Sequence, residues 1–178
     1  KEQNPEREVI IVEQRETGAG ASGRNGGFCS YSLTHGFMNG YSRFKDEMAV
    51  IERLGRENLD LIEETIKRYG IDCQFEWTGE LRIANEEWQI EGLVDEANLR
   101  NSFGDNVEVL GQEEIQARVN SPLSKAALWD PDGTALVDPA RLVWGLERAC
   151  LKLGVKIFEN THVEWLERTS DGMIVHTP

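Results

Sequence analysis

Glu13, Arg24 and the glycines around them, Gly18, Gly20, Gly23, Gly26 and Gly27, are the residues whose types and spacing could do chemistry. An acid at the carboxyl end of a parallel strand can accept hydrogen bonds from ribose hydroxyls, and open sheets bind ligands at that edge. Small residues let backbone N–H groups approach an anion closely, and Ala19, Ala21, Ser22 and Asn25 lie among the glycines. Arg24 adds a fixed positive charge and a fork of donors. Acid, glycine-rich turn and arginine together read as a cradle for a nucleotide phosphate. A plain loop behind a solvated acid has the same composition, so the residues alone leave both readings open.

A strand must hold Glu13 in place. Val9, Ile10, Ile11 and Val12 precede it, a short apolar run without polar alternation. Such a run predicts a strand buried on both faces, as in a parallel sheet. GAGASG, from Gly18 to Gly23, satisfies the bare GxGxxG spacing. It follows an acid-bearing loop and does not join a strand directly to a helix, so it is not read as the pyrophosphate fingerprint.

VIIVEQ followed by GASGRNGG resembles the second strand and following loop of FAD-dependent amine and amino-acid oxidoreductases, the D-amino-acid oxidase and glycine oxidase superfamily. The GRNGG form is most similar to its gamma-glutamylputrescine oxidoreductase branch. A second resemblance runs from Leu136 to Glu167, LVDPARLVWGLERACLKLGVKIFENTHVEWLE, which in the family is a helix, a strand and an adenine-contacting turn. TGELRIA, from Thr78 to Ala84, resembles the first strand of the family's substrate domain. The matches follow the family's order. A strand and GxGxxG helix that the family places before Val9, and its C-terminal half, have no counterpart here, which predicts an internal fragment.

The resemblance implies an α/β fold: a partial Rossmann-like FAD-binding domain, residues 1–70 and 137–178, with an inserted α+β portion of a substrate domain, residues 71–136. It implies FAD as cofactor in the full-length parent. Glu13 would hold the adenosine ribose, and backbone amides near Ser22, Gly23 and Arg24 would meet the pyrophosphate. Asn25, Gly26 and Gly27 would lie near the isoalloxazine ring, and Val163 would contact adenine through its main chain. The implied reaction moves a hydride equivalent from an amine carbon to flavin, and the imine is then hydrolysed. No general base, metal cluster or catalytic triad is identified.

Composition bounds the rest. The 178 residues are 39% hydrophobic and 29% charged, a soluble globular balance. A net charge of −13 argues against nucleic-acid binding and is compatible with a cationic amine substrate. No apolar run approaches the ~20 residues of a membrane span, and KEQNPERE is not a signal peptide. Cys29, Cys73 and Cys150 are widely spaced with no CxxC, which fits reduced thiols in a cytoplasmic protein and no metal site.

Along the chain, Phe28 to Phe44 is aromatic and glycine-rich without clean periodicity. Tyr31, His35, Phe37 and Tyr41 could shape a substrate cavity or could simply be core. Lys45 to Tyr69 predicts a long helix with Met48, Ile51, Leu54, Leu61, Ile62 and Ile66 inward and Glu47, Glu52 and Arg56 on a solvated face. A half-buried strand broken at Gly79 is expected over Ile71 to Ala84. A helix from Glu86 to Phe103 should turn Trp88, Leu93, Val94 and Ala97 inward. Short elements follow at 107–110, 112–119 and 126–129, then a turn at Asp130–Gly133. Asp138 and Pro139 mark the start of a helix ending near Leu153, with Cys150 in its apolar stripe. A strand at 155–158 and a hairpin about Asp171-Gly172 complete the reading.

Two rivals stand beside the flavoenzyme: a non-catalytic folded fragment or binding module without flavin, and an NAD-linked dehydrogenase. The missing fingerprint predicts that the isolated 178-residue chain holds no stoichiometric FAD. It also predicts an unpaired apolar strand edge at Val9–Val12, through which the chain could self-associate.

Overall fold

The computed structural model describes every residue from Lys1 to Pro178. In chain order the elements are β1 Ile10–Val12, β2 Phe28–Ser30, α1 Phe37–Arg43, α2 Met48–Tyr69, β3 Glu76–Trp77 and β4 Glu80–Ala84. Then come α3 Ile90–Ser102, β5 Glu108–Gly111, α4 Gln112–Arg118, β6 Ala126–Asp130 and β7 Thr134–Leu136. The chain closes with α5 Pro139–Lys152, β8 Lys156–Phe158, β9 Trp165–Arg168 and β10 Met173–His176.

The chain divides into two compact units: Lys1–Gly27 with Glu64–Gln74 and Val137–Pro178, and Phe28–Glu63 with Phe75–Leu136. This packing division assigns residues 28–63 to the second unit, whereas the functional division read from sequence groups them with 1–27.

In the first unit β1 pairs in parallel with β8, Ile11 opposite Ile157. Parallel pairing needs a crossover, and α5 supplies it. Asp138 caps α5 by accepting from the Arg141 N–H at 3.0 Å, and Pro139 takes the first helical position. Ala149 is buried on this helix, while Cys150 is half-buried. β9 and β10 form an antiparallel hairpin about Asp171-Gly172. The expectation of a strand buried on both faces is corrected here: β1 pairs with β8 alone, and Ile10 remains 54% exposed.

The second unit holds two three-stranded antiparallel sheets, ordered β2-β7-β3 and β4-β6-β5. α3 covers one face of the latter through Leu93 and Ala97, packed with Ala84, Val107, Ala126 and Leu128. Leu110, Ala127 and the fully buried Ile115 of α4 form the core of the other face. Burying a side chain of that size stabilises by about 1.5–3 kcal/mol. Trp88 and Val94 do not turn inward, being 78% and 41% exposed. Trp88 lies in a separate turn, Glu87–Gln89, closed by a reciprocal Glu86–Gln89 capping box, so it falls outside the register of α3.

α2 begins at Met48 and stops before Gly70. Its buried face is turned in part from the expected one: Met48 and Ile66 are buried as expected, but Glu52 and Leu59 join them while Leu54 and Leu61 are exposed. Gly55 explains the rotation: a Cβ there would sit 2.0 Å from the Tyr31 carbonyl oxygen, so only glycine lets the backbones approach. That approach carries Glu52, expected on the solvated face, into the interior. The region 28–44, without readable periodicity, contains β2 and α1. No helix is long and apolar enough to cross a membrane.

Candidate functional site

Glu13 stands at the carboxyl end of β1, where the loops after β1 and β8 are stitched together. Its N–H donates to Phe158 O at 2.9 Å, continuing the ladder, and its carbonyl accepts from Thr161 N–H at 2.8 Å. Asn160 N–H reaches Arg15 O at 3.1 Å. The Glu13 carboxylate accepts the Arg15 N–H through Oε1 at 2.9 Å, and Oε2 makes no hydrogen bond. An acid at a strand end with one oxygen uncommitted can accept from a ribose hydroxyl.

The glycine-rich loop is fixed from three sides. Thr17 N–H donates to the Glu159 carboxylate at 2.5 Å, which lowers the pKa of that acid. Thr17 O accepts from Trp144 Nε1–H of α5 at 3.2 Å. Asn25 clamps the single helical turn Ala21–Gly23: its Nδ2 donates to Ala21 O at 3.1 Å and Ser22 O at 2.9 Å, and its Oδ1 accepts the Gly27 N–H at 2.9 Å. Gly27 O accepts from Val137 N–H at 2.9 Å, and a Cβ on Gly27 would lie 2.1 Å from Val137 O.

Those bonds leave the main-chain N–H groups of Gly20, Asn25 and Gly26 unpaired, beside the exposed Arg24 and Ser22. Val163, two residues beyond the stitch at Thr161, likewise has a free N–H and a free carbonyl. Unpaired N–H groups in a tight loop suit phosphate oxygens, and a free N–H and C=O pair suits a base edge. An open concavity of about 580 Å³ lies against α5, but Glu16, Glu147 and Glu159 outnumber Arg24 in its lining. An anion is better served by the unpaired N–H groups than by that acidic wall. The residues present therefore fit a dinucleotide. The Asn25 side chain is spent within the loop, and its free main-chain N–H is what it offers a ligand.

In the second unit, Tyr31 and Phe37, two of the four side chains expected to shape a cavity, line one small cavity of about 60 Å³, while His35 stands apart from it. Phe37 is buried, packed edge-on against Phe103 with ring centroids 5.5 Å apart and stacked on Tyr41 at 6.2 Å. His35 is exposed and lines an open concavity of about 840 Å³ with Phe28, Ser32, Glu80 and Arg82.

Tyr31 belongs to a buried polar network that the sequence did not announce. Its hydroxyl donates to Asp105 Oδ2 at 3.0 Å and accepts from the Arg100 guanidinium. Arg100 Nε–H donates to Asp105 Oδ2 at 2.6 Å, and its Nη2 pairs with Asp130. Arg56 pairs with Asp105 and lies over the Tyr31 ring, 4.3 Å from its centroid. Burial pushes the Tyr31 pKa well above its ordinary value. Burial opposes the Arg100 charge, yet its hydrogen bonds to Asp130 and Asp105, together with the fields of Tyr31 and Asp130, more than offset it and the pKa is raised.

A family model described as FAD dependent oxidoreductase matches residues 2–178. The chain belongs to that family. Among curated relatives, a probable oxidoreductase OrdL from Haemophilus influenzae is 29% identical over 164 residues, covering 88% of this chain and 37% of the relative. Gamma-glutamylputrescine oxidoreductase from Escherichia coli is 29% identical over 180 residues, covering 94% of this chain and 39% of its own. The chain thus spans roughly two-fifths of the length of the curated relatives it matches. Glycine oxidase from Geobacillus kaustophilus shares the fold at a TM-score of 0.75 and 21% identity, over 97% of this chain and 45% of that one. The α/β, Rossmann-like fold class of this chain is shown by that likeness.

Proposed function

We propose that this chain is part of a flavoenzyme oxidising the C–N bond of a small amine or amino acid. In this reading residues 1–70 and 137–178 belong to the FAD-binding domain and 71–136 to the substrate domain. The observation that carries it is the set of unpaired main-chain N–H groups at Gly20, Asn25 and Gly26, close in sequence to an acid with an uncommitted oxygen. The family to which the chain belongs and the name of its gamma-glutamylputrescine-oxidising relative support the substrate class.

Each residue has a definite task. Glu13 Oε2 accepts from the ribose, and the N–H groups around Ser22, Gly23 and Arg24 take the pyrophosphate. Arg24 neutralises its charge. Asn25 holds the loop in the shape that presents Gly26 and Gly27 to the flavin ring. Val163 meets adenine with its main chain. FAD, when bound, supplies the hydride acceptor, and the protein orients it and keeps water away. A cytoplasmic setting belongs to the same reading and is supported by the wide spacing of Cys29, Cys73 and Cys150, with no CxxC pair among them.

The test uses the intact protein that carries this sequence. It should purify yellow, release FAD on denaturation, and bleach anaerobically with amines or amino acids. Bleaching by hydroxy acids alone would overturn the substrate class, and a colourless protein that takes up no added FAD would overturn the cofactor site.

A further inference from the structure

The charges of the buried network in the second unit do not balance. Two guanidinium groups, Arg56 and Arg100, meet three carboxylates, Glu52, Asp105 and Asp130. Asp105 and Asp130 are each hydrogen-bonded to an arginine. Glu52 is 6% exposed, and its Oε2 has no hydrogen-bond partner. The nearest cation to that oxygen is Arg56 at 3.8 Å, beyond hydrogen-bond reach, and Arg56 is already committed to Asp105.

Glu52 also borders a cavity of about 60 Å³, large enough for water. Every charged group around that cavity has a use. Arg82 of β4 is paired with Glu96 of α3. Glu80 of β4 accepts from Thr134 Oγ1 at 3.1 Å. Tyr31, following β2, holds Asp105 and Arg100 together. Arg100 of α3 reaches Asp130 at the end of β6. Glu52 alone has a buried oxygen that no donor reaches, and a carboxylate so placed is unfavourable unless it takes up a proton.

We propose that Glu52 is a proton-binding switch of the second unit: its carboxyl is neutral when the network is closed, and ionising it loosens the packing of α2 against Tyr31, Arg100 and Asp130. With the proton on, two positive charges face two negative ones. With it off, a third negative charge stands beside Asp105 and Asp130 with no free donor.

Burial, reinforced by the field of Asp105, pushes the Glu52 pKa up from 4.5 to about 7, against the pull of Arg56 and Arg100. Between those values the folded chain binds a proton that the unfolded chain has released. The stabilisation is therefore present in full below pH 4.5 and is lost as pH rises through 7.

The experiment compares the 178-residue chain with its E52Q variant by denaturant unfolding across that range. Glutamine keeps the shape and neutrality of the protonated acid. The folding constant of the wild type should fall relative to E52Q by up to about tenfold per pH unit between 4.5 and 7. His35, His162 and His176 are common to both chains and cancel in the ratio. Parallel curves would overturn the proposal. Difference infrared spectroscopy of the wild type gives a second reading that needs no folded variant. A protonated-carboxyl C=O band that fades as pH passes 7 supports the switch, and the lack of any such titrating band overturns it.

Discussion

The Thr161 N–H donates to the Glu13 carbonyl at 2.8 Å, so the loop after β8 is fastened to the loop after β1. Residues separated widely in sequence are thereby brought to one strand edge. The bond uses the main chain of Glu13 and leaves carboxylate Oε2 uncommitted, while Val163 follows with its own main-chain groups free. A parallel pair places the ends of both strands at the same edge, which is why ligand sites gather there.

Asn25 should matter for loop shape more than for direct contact. Asn25→Ala removes three hydrogen bonds, each of net worth about 0.5–1.5 kcal/mol when buried and toward the low end at this exposed site. Amide exchange at Gly27 should accelerate, with exchange in the middle of α5 unchanged. Unaltered exchange at Gly27 would show that the clamp does not form in solution.

Gly27→Ala should destabilise the first unit by more than about 1 kcal/mol. The added methyl would meet Val137 O, and Gly27 has φ +75°. Gly20→Ala is the control: nothing lies within 4 Å of a Cβ there and φ is −88°. It should be neutral or gain up to about 1 kcal/mol by restricting the unfolded chain. Equal thermal shifts for the two variants would contradict this account of the loop.

Arg100→Met should be severe. It strips Asp105 and Asp130 of their shared buried partner and leaves the Tyr31 hydroxyl without that donor. Breaking a buried ion pair from one side costs about 3–5 kcal/mol. A loss below about 1 kcal/mol in denaturant unfolding, the scale of exposed pairs, would mean that water reaches the network.

Local signals were readable in the sequence. Asp138, Pro139 and the 3.6-residue stripe fixed the start of α5, and Asp171-Gly172 marked the hairpin. The acid-and-glycine stretch was visible because its residue types are unusual at that spacing. Tertiary facts were not readable. The rotation of α2 depends on the Tyr31 carbonyl approaching Gly55, which no periodicity encodes. The Asn25 clamp resembles any loop asparagine until its three bonds are seen. The ion network draws on residues from 31 to 130, and each of its arginines and acids looks solvated when read singly. Only Tyr31, an aromatic in a motif-free stretch, hinted at it.

Glu13 tests the central claim most directly. In the intact protein carrying this sequence, Glu13→Ala removes the ribose acceptor but keeps both main-chain bonds of residue 13, to Phe158 and Thr161. A charge-assisted hydrogen bond is worth about 1.5–3 kcal/mol, so FAD should bind about ten- to hundredfold more weakly in a fluorescence titration against the apoprotein. Equal affinity for variant and wild type would contradict the assignment of Glu13 and the loop it begins.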